Sequence, residues 1–194
     1  MRWFLGITIG ILAAVVLYLG AAAHSLSELA SAARAGDGAK VLERTNVKAL
    51  NHSLTHQIVS AYLERIGAKR PISPMEKTLI NVYGATIADA MVAKMLTADR
   101  LTQLLKTGKL DGAGDVPPLS GIPTLGDLDT KLSSVLGRLH FIQPVLLGVR
   151  VSDSSAPDDY AAIDLHFEDF GWKLSGIELP KATVRALAAS LPVK

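Results

Sequence analysis

Three residues near the C-terminal end have the types and spacing to move protons. Asp164, His166 and Glu168 alternate with Ile163, Leu165 and Phe167. On a strand, residues two apart point to the same side, so an acid, an imidazole and a second acid would share one face. Lining a pocket, such a row could serve a hydrolase or an isomerase by general acid–base catalysis. Facing water, it is the ordinary polar side of a half-buried strand, which the alternation predicts anyway. The watered face is the plainer reading, and the row is the best enzymatic candidate in the chain.

His52 and His56 form a second pair, at i and i+4 of an expected helix. Their rings would lie on one side and could share a metal ion, but two ligands do not complete a site and the pair encloses no HExxH glutamate. Asn51, Ser53 and Thr55 around them mark a polar helix face. Asp158-Asp159 in a turn is read as solvated rather than as a calcium site. The sequence holds no G-x-S-x-G elbow, no GxxxxGK[ST] phosphate loop and no GxGxxG. It has no cysteine, which excludes disulfides, thiolate catalysis and cysteine-ligated metals. No cofactor is expected, and a non-enzymatic role is favoured.

Composition narrows the partners. With 20 Lys and Arg against 18 Asp and Glu, the net charge is +2, far from the basic face a nucleic-acid binder needs. Apolar residues are 49% and charged residues 20% of the 194 positions, the profile of a folded domain rather than a disordered chain.

The elements that would position these residues begin with an apolar run. Trp3 to Ala23 contains Thr8 as its clearly polar side chain. At about 1.5 Å per residue it would reach about 32 Å as a helix, matching a hydrocarbon core of about 30 Å. Arg2 precedes it, so the expected orientation is N-terminus in the cytoplasm and domain outside. The expected location is a single pass through a bacterial inner membrane, with residues 24–194 as one periplasmic domain. Ala21-Ala22-Ala23 also offers a signal-peptidase site, but the run exceeds a signal peptide's usual apolar length, which favours a retained anchor over residues 1–23. Gly6 and Gly10 form a GxxxG that would let two copies pair as a homodimer, although chance accounts for it as simply.

Beyond the run, Leu26, Leu29, Ala30 and Ala33 continue helical spacing to a break at Gly36-Asp37-Gly38. Apolar residues from Val47 to Ile66 predict an amphipathic helix over 46–66. Ser73-Pro74-Met75-Glu76 predicts a capped helix start, with Glu76 reaching back to Ser73. Met75, Leu79, Val82, Tyr83, Ile87, Ala90, Met91 and Met95 would be its inward stripe. Thr97 would cap a short helix, residues 109–126 would form a long flexible loop, and another short helix would follow near 127–136. The period then changes to two. Strands are expected over 145–151, 161–168 and 172–179, with a tight turn at Glu168-Asp169-Phe170-Gly171. Trp172 and Leu174 are out of phase with Ile177 and Leu179, which places a β-bulge at Ser175-Gly176. Trp172 is read as a core anchor. A short helix around Val184 to Leu191 would end the chain. The fold class is therefore α+β: a transmembrane helix, several helices, then a three-stranded antiparallel meander and a terminal helix.

Three segments carry a resemblance. Ala30-Ser31-Ala32-Ala33-Arg34-Ala35-Gly36-Asp37, Leu96-Thr97-Ala98-Asp99-Arg100-Leu101-Thr102-Gln103-Leu104-Leu105 and Gly171-Trp172-Lys173-Leu174-Ser175-Gly176-Ile177-Glu178-Leu179-Pro180 resemble the uncharacterised bacterial family named domain of unknown function 2939. The resemblance implies an N-terminal membrane segment and brings no activity and no catalytic residues. The helix-then-sheet order is similar to cystatin-like and nuclear transport factor 2-like folds, which by analogy alone bind small ligands or partners. The expected function is an anchored envelope protein that binds another envelope protein or a small apolar ligand; the alternative is a periplasmic hydrolase or isomerase using Asp164, His166 and Glu168.

Overall fold

The computed structural model describes residues 2–107, 137–151, 160–169 and 171–189. Its first element, α1 (Arg2–Ala35), is one unbroken helix that changes role along its length. Every described side chain from Trp3 to Leu17 is exposed, whereas Ala22, Leu26, Leu29, Ala32 and Ala33 are buried. It is long and apolar enough to span a membrane. The helix stops where the sequence says it should. Gly36 takes a positive φ of 66°, and the Gly36 and Asp37 amides donate back to the carbonyls of Ala33 and Ala32. That is a Schellman motif, and glycine adopts its left-handed position without a Cβ penalty.

Asp37 then caps α2 (Gly38–Glu43), and Asn46 caps α3 (Val47–Gly67) by accepting from the Ala49 amide. Ser73 caps α4 (Pro74–Leu79) by accepting from the Glu76 amide, with Pro74 in the first turn as expected. The reciprocal half of that box is not made. Glu76 turns to Arg70 instead, which holds its carboxylate below the usual range by hydrogen bonding and charge. A five-residue π-turn, Ile80–Gly84, leads into α5 (Ala85–Met95), and α6 (Ala98–Thr107) follows.

The inward stripe expected on this segment is corrected. Met75, Leu79, Val82, Tyr83 and Ile87 are exposed, and Ala88 and Val92 are buried in their place. The π-turn adds a residue to one turn and so re-phases the face, which a 3.6-residue reading does not anticipate. The small Ala88 also lets α5 approach α3. The expected loop over 109–126 and helix near 127–136 lie outside the described residues.

The sheet has four strands, not three: β1 (Leu139–Gln143), β2 (Leu146–Arg150), β3 (Ala162–Glu168) and β4 (Gly171–Glu178), in that order and antiparallel. The missed strand β1 shows no clean alternation, because four of its five residues are exposed. The bulge falls where the phase shift put it: Asp164 pairs Gly176 and Leu165 pairs Leu174, leaving Ser175 extra. Asp169, with φ 49°, turns the chain between β3 and β4.

Helix α1 packs on the inner face of this sheet against Leu147, Val149, Ile163, Leu165, Trp172 and Leu174. Trp172, 2% exposed, anchors the seam as expected, with ring centroids 4.9 Å from Tyr18 and 5.4 Å from Phe167. The far edge of β4 would otherwise expose unpaired backbone groups. The Asn46 amide donates to Leu174 at 2.8 Å, the Leu174 amide donates to Arg44 at 2.9 Å, and Gln57 bonds both the Ile177 carbonyl and the Leu179 amide. A second core joins Ile58, Val59 and Ala61 of α3 to Ala88 and Val92 of α5. Its remaining wall is Val184, Leu187 and Ala188 of the terminal helix α7 (Lys181–Ala189).

Candidate functional site

The outer face of the sheet carries the polar row. Strand alternation along β3 brings Asp164, His166 and Glu168 onto it, all half-buried. The three are held differently. Glu168 accepts from Asn46 Nδ2 at 2.8 Å and pairs with Lys173 Nζ at 3.2 Å, which makes it a structural tie between β3, β4 and α3. His166 Nδ1 lies 3.9 Å from the same carboxylate. Asp164 stands apart, with a buried Oδ1 that has no hydrogen-bond partner.

The residue that faces Asp164 was not read from the sequence. His140 on β1, Gly148 on β2, Asp164 on β3 and Gly176 on β4 form one cross-strand row. Two glycines make room in it. A Cβ on Gly148 would collide with the His140 ring, and a Cβ on Gly176 would collide with the Asp164 carboxylate. Imidazole and carboxylate thus lie down over bare backbone. Burial pushes the Asp164 carboxyl above its usual range, and Glu178 adds to the rise, while the His140 imidazole pulls the other way. A carboxyl raised in this way can hold a proton and donate it, which is chemistry a lone solvated Asp does not offer. The signal was in the sequence as Gly148 and Gly176, but β1 had to be known before the row could be assembled.

A cleft of about 340 Å³ opens between α3, α7 and the end of β4, and its lining residue Glu178 is the same acid that raises Asp164. Its lining mixes Ala61, Leu179 and Val184 with Glu64, Glu178, Lys181 and Arg185. Tyr160 also lines it, its phenol raised first by burial and then by Glu178. His56 is on the rim of this cleft, and His52, one turn back, is exposed on the same helix. No group of three His, Asp or Glu side chains among the described residues is placed to hold a metal ion. Gly6 and Gly10 lie on the exposed part of α1 with no atom near where a Cβ would stand.

Residues 11–104 match the family model described as Protein of unknown function (DUF2939). The chain resembles that family from within α1 to α6, so the match takes in Ala30–Asp37 and most of the segment from Leu96. It stops before the sheet and before Gly171–Pro180. No curated protein and no solved structure matches the chain.

Proposed function

We propose that α1 stays in place as a membrane anchor and that the α+β domain it carries is a non-enzymatic module, outside the cytoplasm, that binds another envelope protein. The observation that carries the reading is the continuity of α1. The helix that supplies the apolar run also supplies Ala22, Leu26, Leu29, Ala32 and Ala33 to the main core. Cleavage after Ala23 would remove Tyr18 and Ala22 from that core, so the domain is built to keep its leader. Arg2 ahead of the apolar run favours the outward domain.

The partner reading draws on the stripe along α4 and α5. Met75 is 75% and Tyr83 67% exposed, with Leu79, Val82 and Ile87 beside them. A run of large apolar side chains left in water is the usual mark of a protein contact. The cleft at α3 and α7, with its charged lining, suits a small apolar ligand less well. An enzymatic reading keeps one supporting observation, the raised and unpartnered Asp164 carboxyl.

An alkaline-phosphatase fusion after Lys194 tests the anchor. The expected result is an active, full-length fusion in the membrane fraction; a shortened soluble product or an inactive fusion would sink it. A photocrosslinking residue at Tyr83 tests the contact. A discrete adduct with one envelope protein, lost when Val82→Asp is added, is expected.

A further inference from the structure

Helix α1 supplies a depth scale for the domain. Its described side chains are free of the domain from Trp3 to Leu17, and from Tyr18 onward the helix is packed against it. Those 15 residues reach about 22 Å at about 1.5 Å per residue. A hydrocarbon core of about 30 Å exceeds that by about 8 Å. Tilting the helix shortens its reach and widens the gap. The sequence stays apolar through Ala23, so the span continues for several residues past the point where the domain attaches. Whatever lies beside Tyr18 must then share the depth of the outer leaflet.

What lies there is the connection between β1 and β2. The Tyr18 hydroxyl donates to the Pro144 carbonyl. Around that bond Phe141 is 64%, Ile142 43% and Val145 41% exposed, and Pro144 is exposed with them. From Phe141 to Gly148 the chain carries no charge. The neighbouring tip, between β3 and β4, points the same way, because the Phe167 amide donates to the Val145 carbonyl at 2.9 Å. That second tip is charged. Asp169 and Glu168 both pair with Lys173, at 2.9 and 3.2 Å. One tip suits acyl chains, and the other suits headgroups and limits how far the domain can sink.

We infer that the β1–β2 tip, through Phe141, Ile142, Pro144 and Val145, is immersed in the interfacial zone of the outer leaflet beside α1. The occupant of this apolar surface is lipid, and the domain touches the bilayer at two points rather than hanging from a tether. Exposed apolar residues on a short connection bind membranes in this way, by burying their area at the boundary of headgroups and acyl chains. The inference rests on the reading of α1 as an anchor.

The cysteine-free sequence makes the test clean. Single variants Leu12→Cys, Ile142→Cys and Asp37→Cys of the full chain would carry an environment-sensitive fluorophore in phosphatidylcholine–phosphatidylglycerol vesicles. Val145→Cys replaces Ile142→Cys if that variant misfolds. Quenching would use lipids spin-labelled near the headgroup or near the chain end. The expected result is quenching at 142 by the shallow label, at 12 by the deep one, and at 37 by neither. If 12 is quenched while 142 and 145 behave like 37, the inference fails and the anchor stands. If 12 is not quenched, the anchor fails and takes the inference with it. A blue shift at 142 that no lipid quencher reaches, and that fades as the protein is diluted in lipid, would mean a second copy covers the tip and would also overturn it.

Discussion

The two faces of the sheet are made by different means. On the inner face, Leu147, Val149, Ile163, Leu165, Trp172 and Leu174 fill space against α1, and specificity comes from shape. On the outer face, His140 and Asp164 lie over glycines, and room comes from side chains that are missing. The inner face gains from area removed from water. The outer face holds a carboxyl that burial disfavours when charged. A protein tolerates such a group when it is useful or when its removal would cost more elsewhere, and substitutions can separate these cases.

The largest effect is expected on the inner face. Trp172→Ala should cost about 3–5 kcal/mol, because a large buried ring is replaced by a void at the junction of α1 and the sheet. Urea unfolding of the full chain in detergent micelles measures it. A loss below about 1 kcal/mol would mean that the junction collapses to fill the hole, and the two faces would be less different than described. Next is Gly148→Val on the outer face. The new side chain would displace the His140 ring, and overpacking of this kind costs about 1–3 kcal/mol. If the loss is instead negligible, the outer face is loosely built and the cross-strand row has no fixed geometry.

The contrast also explains what the sequence disclosed. Strict alternation made β2, β3 and β4 readable, and the phase slip between Leu174 and Ile177 located the bulge at Ser175. These features depend on one face being buried. β1 was missed for the same reason: Leu-His-Phe-Ile-Gln leaves most of its side chains in water, so burial imposes no period on it. His140 could not be matched with Asp164 until β1 supplied the register. The α5 stripe failed differently. Periodicity shows that a helix has an apolar face, but the neighbour selects the face, and α3 selected the small Ala88 over Ile87 and Tyr83. Asp164 was therefore legible as a candidate, its cross-strand neighbour His140 was not, and Glu168 is held by Lys173 and Asn46.

A smaller effect, of opposite sign, is expected from Asp164→Asn. Because the folded carboxyl holds its proton more tightly than the unfolded one, stability is greatest below the ordinary aspartate range, near 3.9. It falls as pH rises through the raised value. The asparagine variant should lack that fall and be more stable than the parent at neutral pH. The gain should be under about 1 kcal/mol, since a half-exposed group is screened by water. Unfolding midpoints at several pH values check the slope. A destabilised variant would show that the carboxylate has a partner the described residues do not include.

The smallest effect is expected at His166, and it is the one that separates a solvated row from a working one. His166 is half-buried, and its nearest acid, Glu168, already has Lys173 and Asn46. Removing the imidazole strands no buried group, so His166→Ala should change stability by no more than about 0.5 kcal/mol. Combined with Asp164→Asn the changes should add, since independent sites do. An interaction energy above about 1 kcal/mol in that double-mutant cycle would mean the two residues are coupled. Asp164, His166 and Glu168 would then form a unit with a shared proton or ligand, and the outer face would regain its claim to chemistry.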